Sequence, residues 1–294
     1  MLDDAPSRVL HDTQAAAPRL AVVVPTFRRP DHLLRTLRSL APQLGATGAV
    51  VVLVENDAEG QAGAETARPL FESGEIPGLV VLASERGNCS AYNAGFRHAL
   101  AAYPTLEACL AIDDDELAGE GWIGMLHAAA ERFDADIVGG PQVPVVEPGG
   151  DAALASHPVF LPPYERSGPV PILYSSGNVL IRRRVLERMG DPVLDPRFNF
   201  IGGGDSDFYR RCRREGFRFG WCAEAPVVET VPARRKEWSW IHARSLRNGA
   251  LSSEIQRRRE GRARSAAKTA ALLLAAPPRA LVQTVRQRSL LIGL

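Results

Sequence analysis

The stretch LAVVVPTFRR, residues 20–29, decides the fold of this chain. Its first five residues are apolar and end in three valines, a pattern typical of a strand that is buried on both faces. Such strands form parallel sheets covered by helices, and ligands bind beyond the carboxyl ends of the strands. The polar PTFRR segment follows at that end. Residues 20–29 therefore predict an α/β fold with a ligand site at one edge of its sheet.

Strand and helix patterns alternate through the following residues, as they do in βαβ units. The predicted strands are residues 20–25, 50–54, 79–83, 108–112 and 136–140, and the predicted helices are residues 31–44, 62–71, 90–101 and 122–133. Proline and glycine crowd residues 141–171, which predicts a loop-rich insertion before a strand at 178–181 and a helix at 205–215. We therefore expect a mostly parallel, Rossmann-related sheet flanked by helices over residues 19–232.

Charge divides the chain into an acidic body and a basic end. Residues 233–294 hold 14 Lys and Arg against 3 Asp and Glu, within a chain whose net charge is +1. This composition predicts a basic, amphipathic helical extension, which suits an anionic membrane surface. The alternative is a solvated Arg-rich helix followed by helices that pack on the body or on a partner. The basic run has no interleaved stacking aromatics, so no nucleic-acid partner is expected.

The first residues and the cysteines bear on the location of the protein. Residues 1–18 carry Asp3 and Asp4 where a signal peptide carries positive charge, which predicts a flexible leader without a targeting role. The four cysteines form no CxxC motif, so neither a zinc site nor a disulfide framework is indicated. We expect a cytoplasmic protein, peripheral on the inner face of the cell membrane if the extension binds lipid.

Polar and charged residues follow each of the first four predicted strands. Three aspartates, Asp113–Asp115, come after the fourth strand, and their charges repel one another unless a cation neutralises them. Hard carboxylate oxygens of this kind suit Mg²⁺ or Mn²⁺. The alternative is that the triplet only caps the following helix. No Walker A motif and no GxGxxG sequence follows a strand, which argues against P-loop NTPases and dinucleotide-binding enzymes.

Six short motifs stand in a characteristic order along the chain. They are VVVPTFRRP at 22–30, VEND at 54–57, RGN at 86–88 with NAG at 93–95, IDDDE at 112–116, GNVL at 177–180 and GGDSDF at 203–208. Together they resemble the GT-A-fold glycosyltransferases of family 2, over about residues 19–250. The segment VETVP at 228–232, with the Arg and Trp residues after it, further resembles the bacterial succinoglycan-type exopolysaccharide glucosyltransferases.

This resemblance implies that a sugar is transferred from a nucleoside diphosphate donor with inversion at the anomeric carbon. The implied donor is a UDP-sugar, with UDP-glucose suggested by the subgroup. The resemblance implies that Asp113 and Asp115 hold Mg²⁺ or Mn²⁺, and we infer Glu229 as a third ligand; the alternative is that Glu229 is an ordinary surface residue. The residues implied for donor binding are Pro25, Thr26, Arg28, Glu55, Asp57, Arg86, Asn93, Asp113 and Asp114.

An inverting transfer needs a base that takes the proton of the acceptor hydroxyl. The resemblance implies Asp205 for this role, with Asp207 as the second candidate; alternatively, Asp205 only caps its helix. The chain departs from the family at two positions. Gly204 stands where relatives commonly have Glu, and Tyr92 stands where a related position often has Arg.

The expected function is extension of a glycan or lipid-linked saccharide in exopolysaccharide or cell-surface glycan synthesis. One alternative is a nucleotidyltransferase that makes a sugar nucleotide, but such enzymes open with a Gly-rich loop that PTF at 25–27 does not match. The other is a non-catalytic membrane-surface scaffold built on a transferase fold. The presence of Asp113, Asp115 and Asp205 argues against the scaffold.

Overall fold

A computed structural model describes residues 7–146 and 158–287 of the chain. The chain divides into two compact units: residues 1–143 with 162–229, and residues 144–161 with 230–294. The loop-rich insertion predicted at 141–171 includes residues 147–157, which lie outside the described residues. The two units are taken in turn.

The first unit contains most of the secondary structure. Its strands are β1 (Ser7–Asp12), β2 (Leu20–Thr26), β3 (Ala49–Glu55), β4 (Gly78–Ala83), β5 (Ala108–Ala111), β6 (Glu116–Ala118), β7 (Ile137–Gly139), β9 (Gly168–Val170), β10 (Val179–Arg182) and β11 (Phe219–Trp221). Strands β8 (Gln142–Val146) and β12 (Val227–Val231) each begin in it. Its helices are α1 (Pro30–Thr47), α2 (Ala62–Glu72), α3 (Asn88–Ala102), α4 (Trp122–Arg132), α5 (Arg183–Met189) and α6 (Gly204–Arg214).

Nine strands of the described residues form one sheet in the order β1-β4-β3-β2-β5-β10-β7-β11-β9. Strands β4, β3, β2 and β5 are parallel neighbours, and β10 runs antiparallel to both β5 and β7. Because β7 and β11 are parallel to each other, six of the nine strands point the same way. The prediction of a mostly parallel sheet flanked by helices is confirmed.

Complete burial explains the apolar strands at the centre of this sheet. Every residue of β2 and β3 is buried, and the leucines of α1 pack over one face. On the other face α3 lies close to the sheet, because a Cβ atom at Gly95 would come within 2.3 Å of Val23 Cγ1. Three residues earlier on α3, the Tyr92 hydroxyl reaches Asp113, which lies just past the carboxyl end of β5.

The expectation of a flexible leader over residues 1–18 is wrong for residues 7–12. They form β1, which pairs antiparallel with β4 at the edge of the sheet. The strand is tied at its start, since the Ser7 hydroxyl lies 3.0 Å from His98 Nε2 and accepts a hydrogen bond from Arg97 Nη1 at 3.2 Å. An edge strand is ordered by backbone hydrogen bonds to the neighbouring strand, and these leave little trace in its own sequence. Residues 1–6 lie outside the described residues.

The second unit is helical over its described C-terminal part. Helix α7 (Trp238–Glu260) and helix α8 (Arg262–Gln287) are separated by Gly261, whose φ of +87° suits glycine. Helix α8 continues through the proline pair, Pro277 and Pro278. The alanines and leucines around the pair favour helix strongly enough to carry the element through it. Residues 288–294 lie outside the described part of the chain.

The second unit combines a packed aromatic pair with exposed apolar side chains. The Trp240 ring stacks on Phe160 at 6.1 Å, so this tryptophan has a packing partner of its own. Leu273 and Leu274 of α8 are exposed over most of their surface. Among the described residues, no helix is long and apolar enough to pass through a lipid bilayer.

Candidate functional site

The predicted convergence of polar side chains occurs at the carboxyl ends of β2, β3, β4 and β5. Parallel pairing places these ends along one edge of the sheet. The Thr26 hydroxyl, at the end of β2, donates to Asp114 Oδ2 at 2.8 Å, which joins the first motif directly to the aspartate triplet. Pro25, one residue earlier, is buried within β2 opposite Val54. It contributes to the strand rather than to the exposed edge.

The three consecutive aspartates have three different environments. Asp114 is buried and also accepts from the Phe27 amide at 3.4 Å. Asp113 accepts from the Tyr92 hydroxyl through Oδ1 at 2.7 Å. Asp115 lies 2.6 Å from Arg29 Nη1 through its Oδ2 atom. Asp113 and Asp115 are partly buried, whereas Asp114 is buried.

The reading of the triplet as a helix cap is wrong. Helix α4, the next helix along the chain, has Gly121 as its N-cap residue and no side-chain cap bond. The short strand β6 separates it from the aspartates. Burial, the largest cause, raises the pKa of the Asp113 carboxyl to about 7. The hydrogen bond from Tyr92 opposes that rise, and the negative charge of Asp115 adds to it.

Glu116 is a fourth acid of this region, and the sequence offered it only as an alternative cap of the following helix. It is almost fully buried, accepts from the Asp113 amide at 3.0 Å and is hydrogen-bonded to Gln142. Burial raises its pKa well above the ordinary value, and the charge of Asp113 acts in the same direction. Strand pairing sets Glu229 of β12 opposite Glu116. The sequence signal was present, because Glu116 directly follows the triplet.

Hard carboxylate oxygens make this region chemically suited to Mg²⁺ or Mn²⁺. The negative charges of Asp115 and Glu229 both raise the pKa of Asp113, so the charge there is not fully compensated and favours a cation. Over residues 7–146 and 158–287, however, no three acidic, histidine or cysteine side chains are gathered closely enough to hold an ion as they stand. The residue types fit a divalent metal, and Arg29 meets the charge of Asp115 in this arrangement.

A second ion pair occupies the end of β3. Arg28 reaches Asp57 with Nε at 2.6 Å and Nη2 at 3.3 Å, from a backbone with φ of +57°. The hydrogen bond from Arg28 holds the pKa of Asp57 below its usual value. The guanidinium of Arg28 lies 5.0 Å from the Phe27 ring and that of Arg86 lies 4.5 Å from it, so cations flank this aromatic.

Glu55 positions Asp57 through the backbone. It is fully buried, and its two oxygens accept from the amides of Asp57 at 2.8 Å and Ala64 at 3.0 Å. Burial raises the pKa of Glu55, while these backbone hydrogen bonds lower it. Gly63 is required beside it, since a Cβ atom there would approach Glu55 Oε2 within 2.8 Å. The carboxylate therefore fixes the turn between β3 and α2.

Two asparagines connect the loops of this edge. Asn56 donates to the Glu85 carbonyl at 2.8 Å and accepts from the Gly87 amide at 2.7 Å. It therefore fixes the loop that carries Arg86, a role that the sequence did not indicate. Asn93 donates to the Leu194 carbonyl at 2.7 Å and accepts from the Leu194 amide at 2.8 Å. Both polar atoms of Asn93 are thus taken by a backbone 101 residues away.

Asp205, in the first turn of α6, lines a cavity that Tyr92 also borders. The lining of this cavity is mainly apolar, and Asp205, Tyr92 and Tyr209 are among its residues. Tyr92 is also the residue that donates to Asp113, so one side chain borders both groups. Gly203 rather than Asp205 is the N-cap residue of α6, and the Asp205 side chain accepts a hydrogen bond from the Ser206 amide at 2.7 Å within the first turn.

The neighbours of Asp205 differ from it in environment. Asp207 is buried and pairs with Arg211 Nε at 2.8 Å, one turn later on α6. Gly204 packs against Cys89, since a Cβ atom there would lie 2.5 Å from Cys89 Sγ. This contact gives a physical reason for glycine at this position. Just before the glycines, Phe200 stands 75% exposed.

A mostly parallel sheet of this kind, flanked by helices, matches the GT-A class of fold. A family model described as glycosyltransferase-like family 2 matches residues 18–250. The chain belongs to this family.

Solved structures show the same fold. S. aureus TarS, residues 1–349, in complex with UDP-GlcNAc, is 15% identical with a TM-score of 0.53 over 72% of this chain and 58% of that one. The mannosyltransferase PcManGT from Pyrobaculum calidifontis, in complex with GDP-Man and Mn²⁺, is 21% identical with a TM-score of 0.57 over 86% and 66%. GalNAc-T7 with UDP, GalNAc and Mn²⁺ is 14% identical with a TM-score of 0.55 over 74% and 44%.

These similarities extend over part of each relative. The chain spans less than two thirds of the length of the TarS and PcManGT chains. No curated protein matches the sequence. The shared feature is therefore the GT-A domain itself.

Proposed function

We propose that this protein is a metal-assisted inverting glycosyltransferase that uses a UDP-sugar, with glucose as the sugar. The observation that carries the proposal is the arrangement around Tyr92, which donates to Asp113 at 2.7 Å and borders the cavity that Asp205 lines. Inverting transfer needs a cationic environment for the leaving diphosphate and a separate base for the acceptor. Asp113 and Asp115 would hold the cation that the diphosphate needs, and Asp205 would serve as the base.

The donor would lie along the carboxyl ends of β2 to β5. Asp57, held by Glu55 and the β3–α2 turn, is suited to accept hydrogen bonds from uracil or ribose. Asp113, Asp115 and Glu229 would hold Mg²⁺ or Mn²⁺, which neutralises the developing charge of the leaving diphosphate. Arg86 stands beside Phe27 on the path of the phosphates. TarS and PcManGT, which share this fold, bind UDP-GlcNAc and GDP-Man.

Asp205 is the group proposed to take the proton of the acceptor hydroxyl. It is only half-buried and sits in the first turn of α6, where the helix dipole favours its ionised form. Asp207 is less suited to this role because Arg211 already neutralises its buried carboxylate. Thr26 and Asp114 support the donor side by linking β2 to the triplet, and Asn93 by fixing α3.

The acceptor is proposed to be a glycan or lipid-linked saccharide in exopolysaccharide or cell-surface glycan synthesis. The basic C-terminal extension supports a location at an anionic membrane surface, since each basic residue there contributes about 1 kcal/mol of attraction. The exposed leucines of α8 would add apolar contact with the lipid. The protein is thus proposed to work in the cytoplasm, on the inner face of the membrane.

Donor binding is the first experiment. We would screen UDP-, GDP- and dTDP-sugars with and without Mn²⁺ for a rise in melting temperature. A ligand at a hundredfold excess over its Kd stabilises the native state by about 2.7 kcal/mol, which corresponds to a rise of roughly 5 °C for a chain of this size. We expect UDP-glucose with Mn²⁺ to give the largest rise. No rise with any sugar nucleotide would overturn the proposal.

Catalysis is tested by the slow release of UDP from the donor. We expect Asp205→Asn to bind donor like the wild type but to release UDP at least about a hundredfold more slowly, the scale of one general base. Glu187→Gln is the matched control, because Glu187 is exposed and pairs with Arg183 on α5. Unchanged release in Asp205→Asn would remove the assigned base.

A further inference from the structure

Arg29 contacts two of the three consecutive aspartates. Its Nη1 atom lies 2.6 Å from Asp115 Oδ2 and 3.2 Å from Asp114 Oδ1. Within the part of the chain that the structure describes, it is the one cation in ion-pair contact with the triplet. The residue also forms the N-cap of α1 and precedes Pro30 at the first helical position.

The two aspartates depend on Arg29 to different degrees. Asp114 has further donors in the Thr26 hydroxyl and the Phe27 amide, so it stays satisfied without Arg29. Asp115 has hydrogen bonds from Arg29 alone among the described residues. The Arg29 side chain is 48% exposed and Asp115 is 17% exposed, so the guanidinium can turn into solvent without unpacking the core.

We propose that Arg29 is an exchangeable internal cation: it neutralises Asp115 in the metal-free protein and moves to the diphosphate of the donor when Asp115 takes a divalent ion. This inference rests on the proposed function, because it assumes the metal ligand and the donor class assigned above. The exchange follows from charge, since a guanidinium and a divalent cation on one carboxylate repel each other.

The released guanidinium has a suitable partner in the donor. Its planar fork matches the oxygens of a phosphate group, and such charge-assisted bonds are among the stronger hydrogen bonds in proteins. Arg29 also stands at the N-terminus of α1, an 18-residue helix, where the dipole favours negative charge. Arg29 would therefore oppose metal binding before the donor arrives and favour donor binding afterwards.

Two opposite changes in affinity test this role. We would measure Mn²⁺ binding without nucleotide, and UDP binding at saturating Mn²⁺, by titration calorimetry on the full chain. We expect Arg29→Gln to bind Mn²⁺ about fivefold more tightly, the scale of one exposed ion pair. We expect the same variant to bind UDP at least about tenfold more weakly, because a charge-assisted bond is lost.

Arg19→Gln is the matched control. Arg19 directly precedes the other end of β2 and makes an exposed ion pair with Glu107 at 2.7 Å, so its loss removes one charge without touching the site. We expect both affinities to equal those of the wild type. Arg29→Lys is the second variant if Arg29→Gln does not fold, since Lys keeps the charge but loses the fork. It should bind Mn²⁺ like the wild type and UDP several-fold more weakly.

The outcomes separate this inference from the proposed function. Tighter Mn²⁺ binding together with weaker UDP binding in Arg29→Gln supports the exchange. Changes in the same direction, or no change, overturn it while leaving the glycosyltransferase assignment in place. If the wild-type chain binds neither Mn²⁺ nor UDP, the proposed function and the inference both fall.

Discussion

Removing the Tyr92 hydroxyl should destabilise the protein in a pH-dependent way. In the native state this hydroxyl donates to Asp113 Oδ1 at 2.7 Å, and Tyr92 itself is 1% exposed. Tyr92→Phe keeps the ring and deletes the donor. A hydrogen bond to a charged group contributes about 1.5–3 kcal/mol, and one to a neutral group about 1 kcal/mol. The cost of the substitution therefore depends on whether Asp113 is ionised.

The sign of the pH effect follows from the pKa of Asp113. Burial raises it to about 7 from an unfolded value of 3.8, so the native state binds more protons between these values and stability falls as the pH rises through that window. Above pH 7 Asp113 is ionised and needs the Tyr92 donor most. We expect Tyr92→Phe to lose about 2–3 kcal/mol at pH 8.5 and about 1 kcal/mol at pH 5.5.

Urea unfolding at the two pH values measures this difference. Tyr103→Phe is the matched control, because Tyr103 is also buried but its hydroxyl has no hydrogen-bond partner among the described residues. That control should cost little and should show the same effect at both pH values. An equal loss for Tyr92→Phe at pH 5.5 and pH 8.5 would refute the reasoning, since it would mean that Asp113 does not change charge between them.

Three further substitutions or reagents probe the same region. Gly204→Ala places a Cβ atom 2.5 Å from Cys89 Sγ, so we expect the free energy of unfolding in urea to fall by about 1–3 kcal/mol. Adding Cys89→Ala should recover part of this loss. No recovery would mean that another contact selects glycine at this position. Glu55→Gln turns one of two amide-accepting oxygens into a donor, so we expect the free energy of unfolding to fall by about 2 kcal/mol. Because Glu55 positions Asp57, the variant should also bind UDP more weakly in titration calorimetry. Unchanged UDP affinity would separate Glu55 from the donor site. Burial raises the pKa of the Cys89 thiol to about 12, and all four cysteines are buried, so a colorimetric thiol reagent should find none in the native protein and four after unfolding; a fast-reacting native thiol would contradict the burial.

The sequence predicted the centre of the fold well because its strands are buried on both faces. Leu20–Thr26 and Ala49–Glu55 carry continuous apolar runs, and such runs show their burial without knowledge of their neighbours. Strand β1 carries no such run, and its order comes from pairing with β4, so its sequence resembled a leader. Pairing between distant segments is a property of the whole fold rather than of a local pattern.

In the candidate site, too, contacts between distant segments could not be predicted from local sequence patterns. The motif resemblance brought Asp57 and Glu55 into one group, but only the structure shows that Glu55 is enclosed by two backbone amides. The partner of Asn93 is a backbone 101 residues away, and no local pattern indicates it. The pairing of Asp207 with Arg211 was different, since an i,i+4 acid–base spacing on a predicted helix is visible in sequence and would have favoured Asp205.

The arginines explain how an acidic edge stays folded and would admit the proposed anionic donor. Asp57 and Asp114 lie on the buried side of their ion pairs, at 9% and 8% exposure, while Arg28 and Arg29 are about half exposed on the solvent side. The acids are thus fixed by the core and the cations are free to turn. In the proposed function the guanidinium groups would turn to the phosphates of the donor while a divalent ion takes the place of Arg29 beside the aspartate triplet. If the arginines were buried and the acids exposed, the fixed positive charge would lose its partner each time a donor departed.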